Sequence, residues 1–458
     1  MPAHGVDQDK IRRMREREET RFKLDRPKSS ALLERAKKHM PNGVPNSWMV
    51  GLYGHMTIFV EGGKGAYFTD VDGYTYLDMN QADLSMNCGF GPDALIDEVR
   101  NRVATGSQFL LPTEDSILVS EDLAKRFRLP SWQFTLSASQ ANSEVIRVAR
   151  AITGKKHILI FMGRYHGHID NTMIAQSVDG EPEDIQAGFL VDQAKYTIIV
   201  DFNDLEAVES ALRKFDIALI LTEPALTNCG VVLPEDGFMP GLKKLCEQYG
   251  ALLAIDETHT QVVSYGGLSN RWNLKCDFIV AGKAAAAGIP CGLYGMTQSI
   301  SDYVANHLEA TEGDPRSAHG QLPLGGTLFG NALSMCAARV ALTKILTPEA
   351  YERTIEVGAH LIGGLQKLFD RHGLPWQAHR LFTRSGYCFA PELPKNIKTY
   401  FTHVDYGLME LIRVYGGNRG IWEAIYSAGP AASFVMEKHD VDKYLNVVDD
   451  FLIELRKL

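Results

Sequence analysis

Asp256 ends the run ALLAID and Lys283 follows the run DFIVAG, each where an apolar, β-branched stretch gives way to polar or glycine-rich sequence. In an open α/β sheet that boundary is the carboxyl end of a strand, the place where ligands bind. A carboxylate and an amine on neighbouring strand ends can grip two ends of one aromatic cofactor. The amine does so as a Schiff base, the carboxylate by holding a proton on a ring nitrogen. A buried ion pair, or two solvated loop charges, would leave the same letters. Taken alone, the pair favours that plainer account, and the surrounding segments shift the balance.

In FTLSASQANSEVIRVARA (134–151), Ser137, Ala138 and Ser139 precede an amphipathic helix. Amides at Ala138 and Ser139, the Ser139 hydroxyl and the helix dipole make an anion site suited to a phosphate monoester. A serine N-cap explains this motif equally well by itself. In RYHGHID, Tyr165 at a strand end could stack on a flat heterocycle, with His166 beside it and Gly167 allowing close backbone approach. The two histidines lack a carboxylate or cysteine at ligand spacing, which disfavours a metal. In LTEPALTNCGVVLP, Glu223 sits before a proline turn, where it would order Asp256 or a loop of the site unless it is a surface acid. Asn228 lies in the same turn. Thr258 follows Asp256 closely and joins the candidate cofactor contacts. In HGQLPLGGTLFGN (319–331), Thr327 ends a glycine-rich turn and could donate to a phosphate, or the turn could simply cap a helix.

The rest of the chain bounds these readings. With 458 residues, 45% hydrophobic and 22% charged, the composition is that of a globular protein with two or three structural domains. A formal charge of −9 argues against a nucleic-acid surface. Seven cysteines without a CxxC pair read as reduced thiols. No apolar stretch reaches the roughly 18–20 residues of a membrane helix, and KIRRMREREETRFK lacks a secretory core, so a cytoplasmic location is expected.

Residues 1–40 are charge-rich and read as a solvated arm or helix, resting on a partner subunit or frayed. MTIFVEGGKGAYFTDVDGYTYLDM holds two hairpin-like alternations with an Asp-Gly turn at Asp72 and Gly73. Apolar strands are expected at 157–162, 196–201, 216–223, 251–257 and 277–282, with amphipathic helices between them. That alternation predicts an α/β protein with a doubly wound, mostly parallel sheet. The expected division is an arm and the start of a small domain over 1–105, a large cofactor-binding domain over 106–335, and the rest of a smaller α+β domain over 336–458.

Together these blocks, in this order, resemble the class III aminotransferases of pyridoxal-phosphate (PLP) fold type I, near the glutamate-1-semialdehyde aminomutase branch. The resemblance runs from MPNGVPNS to the final helix and includes TDVDGYTYLDM, YHG, the IDE block, GKxxxxGxPxG and GGTLFGN. It implies PLP as cofactor, Lys283 as the Schiff-base lysine, Asp256 as the ring-nitrogen partner and Tyr165 as the stacking aromatic. Ala138 and Ser139 match the phosphate cup, and Thr327 the phosphate ligand given by the second protomer of a homodimer with shared sites. The chain departs from the family where the cup reads SAS-Q rather than SGT-E, and where Thr258 replaces a valine. The carboxylate-binding arginine of relatives acting on amino acids is also absent: Trp48, Met49 and Val50 stand in that stretch and Val263 in the later one. Arg164, Arg271, Arg384 and Arg419 are candidates to replace it, though each is individually better read as structural.

The leading expectation is an aminotransferase moving an amino group between a small amine or amino acid and a keto or aldehyde acceptor, with Lys283 as general base and acid. An ammonia-lyase acting by β-elimination on a small hydroxy-amine, phosphorylated or phosphonylated, uses the same parts, as does an aminomutase. A non-enzymatic regulatory module is the minor reading, because the lysine, aspartate and tyrosine are all intact.

Overall fold

A computed structural model describes residues 5–51, 54–183, 187–308, 322–423 and 429–456. Residues 319–321, the start of the glycine-rich block, lie outside the described residues. By contacts the chain forms two compact units, one of 1–92, 227–232 and 349–458, the other of 93–226 and 233–348.

The first unit opens with a helix, Gln8–Leu24, capped by the Asp7 side chain. Most of its charged residues face outward, while Lys10 and Glu18 are buried beside its apolar stripe. Ile11 and Met14 join a core with Leu361, Leu408 and Leu411, and Phe22 enters an aromatic cluster with Phe68, Tyr76 and Trp422. The segment read as an arm is therefore a packed helix on its own chain. The strands β1 (Val60–Lys64), β2 (Tyr67–Asp70) and β3 (Thr75–Asp78) form the expected meander. Gly73, at φ +92°, closes the β2–β3 turn, and its amide donates to Asp70 O at 3.0 Å.

The second unit carries a nine-stranded sheet. Its strands in chain order are β4 (Ser131–Thr135), β5 (His157–Phe161), β6 (Ala175–Gln176), β7 (Pro182–Glu183), β8 (Thr197–Val200), β9 (Ile217–Thr222), β10 (Leu252–Asp256), β11 (Phe278–Ala281) and β12 (Gly292–Met296). They lie side by side as β4-β12-β11-β10-β9-β5-β8-β6-β7. From β11 through β8 the pairing is parallel, as predicted. These strands are apolar throughout because helices cover both faces of such a sheet. Four strands escaped the sequence pattern: the short β6 and β7 at one edge, and β4 and β12, which pair antiparallel with each other while β12 pairs antiparallel with β11.

The remaining strands belong to the first unit. β13 (Gln377–Leu381) and β14 (Arg384–Cys388) form a hairpin, and β15 (Ile421–Trp422) runs parallel to β3. Helices Pro348–Arg371, Tyr406–Gly417 and Lys438–Arg456 complete this α+β unit.

Candidate active site

The parallel register sets Asp256, at the end of β10, opposite Val280 of β11. The Glu257 amide extends the ladder by donating to Val280 O at 2.7 Å. Lys283 lies three residues beyond Val280, so both functional groups leave the same carboxyl edge on adjacent strands. Lys283 has φ +42°, an unusual value for a residue with a side chain, and it opens the short turn Lys283–Ala286. A conformation of that kind costs on the order of 1–3 kcal/mol and persists where surrounding contacts dictate it. One such contact comes from Gln261, whose Nε2 donates to the carbonyl of Gly282 at 2.5 Å.

Gly282 also fixes where the lysine meets the helix Ala138–Thr153. A Cβ at Gly282 would lie 3.2 Å from both the Cβ and the amide nitrogen of Ala138. The bare backbone thus lets the strand end press against the helix N-terminus. Ser137 caps that helix, accepting from the Gln140 amide at 3.3 Å. As N1 and N2 residues, Ala138 and Ser139 have amides that no intrahelical carbonyl can satisfy. The Ser139 hydroxyl accepts from the His168 amide at 3.1 Å, leaving its own hydrogen to donate. Gly167, at φ +97°, packs so close that a Cβ would lie 2.2 Å from Ser139 Oγ. The loop carrying Tyr165 and His166 is thereby folded onto the anion cup.

Asp256 is buried, and four donors meet it. Thr258 contributes its amide at 3.0 Å and its hydroxyl at 2.5 Å, both to Oδ1. Asn142 Nδ2 and His166 Nδ1 each donate to Oδ2 at 2.9 Å. Burial pushes the Asp256 carboxyl up, but donation from His166, Thr258 and Asn142 outweighs it and holds the group below its ordinary range. Asp256 is therefore an ionised, buried carboxylate.

The other candidates fall around this centre to different degrees. Buried Glu223 accepts from the Tyr165 amide at 3.4 Å, so it orders the Tyr165 loop rather than Asp256. Tyr165 itself is half-buried. Thr327 is exposed, its carbonyl accepting from Gln108 Nε2. Asn228 belongs to the first unit. Of the candidate arginines, Arg164 donates to Thr172 O and Arg419 pairs with Glu18, both structural roles, and Arg271 is exposed. Arg384 is fully buried in the first unit.

Asn142, Gln261 and Glu257 escaped the reading of the sequence. Glu257 is wholly buried, accepting from Thr260 Oγ1 and from the amide and hydroxyl of Ser269, and so folds the loop after β10. The available signal for Asn142 was a polar residue on the helix face shared by Ala141, Val145 and Ala149.

An ionised carboxylate, a lysine on the adjoining strand end and a capped helix N-terminus with free donors fit a phosphorylated aromatic aldehyde. The fold and this donor set define a PLP enzyme of fold type I. The family described as aminotransferase class-III matches residues 51–450, and the chain belongs to that family. It is 34% identical over 391 residues to the glutamate-1-semialdehyde 2,1-aminomutase of Bacillus subtilis (strain 168), covering 81% of this chain and 85% of that one. A glutamate-1-semialdehyde aminomutase from Pseudomonas aeruginosa PAO1, one of whose crystal structures is a complex with PMP, superposes with a TM-score of 0.92. That protein is 32% identical and the match covers 98% of this chain and 100% of that one. An omega-transaminase from Sphaerobacter thermophilus, 24% identical with a TM-score of 0.83 over 93% of this chain and 98% of that one, shares the fold. The cofactor is accordingly pyridoxal phosphate.

Proposed function

We propose that this chain moves an amino group within one small substrate, as an aminomutase, with transfer between two substrates as the second reading. The observation carrying the first is the near full-length similarity to proteins named glutamate-1-semialdehyde 2,1-aminomutase, on a chain that keeps the lysine, aspartate and tyrosine. The second is favoured by the stretch Trp48–Val50, which offers no guanidinium where relatives handling amino-acid carboxylates carry one.

When bound, the cofactor supplies a sink for the electron pair left as a substrate C–H bond breaks. Lys283 Nζ takes that proton and returns it to a neighbouring atom. Asp256 holds the ring nitrogen's proton, while His166 and Thr258 fix the carboxylate's orientation. Tyr165 covers the ring, and Glu223 holds the Tyr165 loop. Ser137, Ala138 and Ser139 bind the phosphate together with Thr327 of a second copy, so the active assembly is a homodimer.

The test is to supply glutamate-1-semialdehyde alone to cofactor-loaded enzyme and assay for its 1-amino isomer. An amine and keto-acid panel and an ammonia assay run in parallel. Isomer formation without donor or acceptor supports the proposal. Turnover only with a separate acceptor installs the second reading, and free ammonia without acceptor indicates a lyase. A chain that binds no PLP overturns all three.

A further inference from the structure

Glu144 places a carboxylate on the side of its helix that Ala141, Val145 and Val148 bury, and it is only 6% exposed. A buried carboxylate is costly unless it is paired and hydrogen-bonded. Both of its oxygens are engaged. Oε1 accepts from Arg147 Nη1 at 3.0 Å, one turn further along the helix, and Oε2 accepts from the Gly325 amide at 3.2 Å. Arg147 Nη1 also donates to the carbonyl of Pro323 at 2.8 Å. The pair therefore clasps the glycine-rich turn twice, once by an amide and once by a carbonyl two residues earlier.

What the clasp holds is the run that leads into Thr327. Gly325, Gly326, Thr327 and Leu328 are all exposed, and Gln108 Nε2 fixes the carbonyl of Thr327. Phe109, Leu110 and Leu111, which follow Gln108, are exposed apolar residues as well. Uncovered apolar surface of this kind marks an interface. A second copy of this chain is the occupant that the reading above requires. Within its own chain the same helix serves a different phosphate. Its N-terminus carries the cup of Ser137, Ala138 and Ser139, and Glu144 lies roughly 9 Å along the axis from Ala138.

We infer that Glu144 and Arg147 are positioning residues for the partner's site: they set the turn that presents Thr327 to the cofactor phosphate of the second copy. The inference rests on the homodimer with shared phosphate sites proposed above and adds the residues that shape the donated half. One helix then works for two sites, its N-terminal amides for its own chain's phosphate and its middle for the other's. Both residues act through Thr327.

The test uses full-length mixed dimers, purified through two different tags and titrated with PLP. Schiff-base absorbance reports only a chain that keeps Lys283. In one pairing K283A and E144A lie on the same chain, opposite a wild-type chain; in the other they lie on opposite chains. With both on one chain, the only lysine faces the altered turn. Its PLP affinity should fall about tenfold, what one hydrogen bond to a charged group carries. With them on opposite chains, the only lysine faces an intact turn, and its affinity should match that of a wild-type chain opposite K283A. E144Q, which keeps an oxygen for the Gly325 amide, should recover part of the loss. R147A, altered at an exposed side chain, decides the question if E144A fails to fold. The reversed pattern, equal loss in both pairings, or no loss in either overturns the inference and leaves the PLP reading intact. A wild-type chain that loads with PLP yet stays monomeric overturns the shared-site reading instead.

Discussion

Replacing Asp256 by asparagine keeps the shape of the side chain and removes its charge, and the surrounding donors make the consequence calculable. An amide offers one oxygen and one NH2, so two of the four donors now face another donor. The Thr258 hydroxyl can rotate to accept, which places the NH2 on that side. The Thr258 amide, 3.0 Å away, is then left with nothing to bind. A hydrogen bond to a charged group is worth about 1.5–3 kcal/mol, and the ring nitrogen loses its ionic partner as well. A loss of about 3 kcal/mol in transition-state stabilisation lowers kcat/KM about a hundredfold. Steady-state kinetics with saturating PLP, together with an absorbance titration of cofactor binding, measure the two effects separately. Because the carboxyl lies below its ordinary 3.8, its contribution to stability is present above that pH and is lost as pH falls through the lower folded value. Asp256→Asn should therefore flatten the acid limb of the stability profile. A variant with more than about a third of wild-type kcat/KM and unchanged cofactor affinity would refute the reasoning.

Lys283→Ala should abolish the covalent hold on the cofactor and lower turnover by about a thousandfold, within the range lost with a general base; gel filtration should then strip the chromophore. Gly167→Ala should weaken PLP binding and lower thermal stability by about 1–3 kcal/mol, because the new methyl meets Ser139 Oγ at a positive φ; cofactor titration and Tm check both. Glu423, in the first unit, accepts from Tyr387 and Tyr444 hydroxyls at 2.8 and 2.9 Å, and burial pushes it from 4.5 up to about 7. The folded state keeps a proton the unfolded chain has shed, so the associated stability is full below 4.5 and lost as pH rises through about 7. Two and a half units correspond to about 3 kcal/mol as an upper bound. Glu423→Gln should therefore gain stability relative to wild type between pH 5 and pH 8, and parallel melting profiles would contradict that account.

The strands that carry the chemistry were legible because a parallel sheet buried on both faces demands unbroken apolar runs. β5, β8, β9, β10 and β11 each fall within a residue or two of where the letters placed them. Asp256 and Lys283 stood out because each breaks such a run at its carboxyl end. β12 was not legible because its composition answers to neighbours far away in sequence. Gly292 sits so close to Ser137 that a Cβ would be 2.2 Å from the Ser137 carbonyl carbon, and a Cβ on Gly295 would meet the Trp132 ring at 2.6 Å. Packing alone requires glycine there, while strand propensity argues against it. The buried stripe of the first helix was masked by its many charged residues. Asn142 and Gln261 are polar residues whose partners lie on other elements, and no local pattern announces such pairings.

The first unit is assembled from three separate stretches, and this has a consequence for how the protein is made. Leu77 of β3 lies in parallel register with Ile421 of β15, its amide donating to Gly420 O, and Ile11 and Met14 share their core with Leu408 and Leu452. During synthesis the opening stretch leaves the ribosome long before those partners exist, with an unpaired strand edge and a greasy helix face on show. Those surfaces find their partners only once the last hundred or so residues appear. For the same reason no fragment cut at a single point contains the whole first unit, and expression trials are best run on the whole chain.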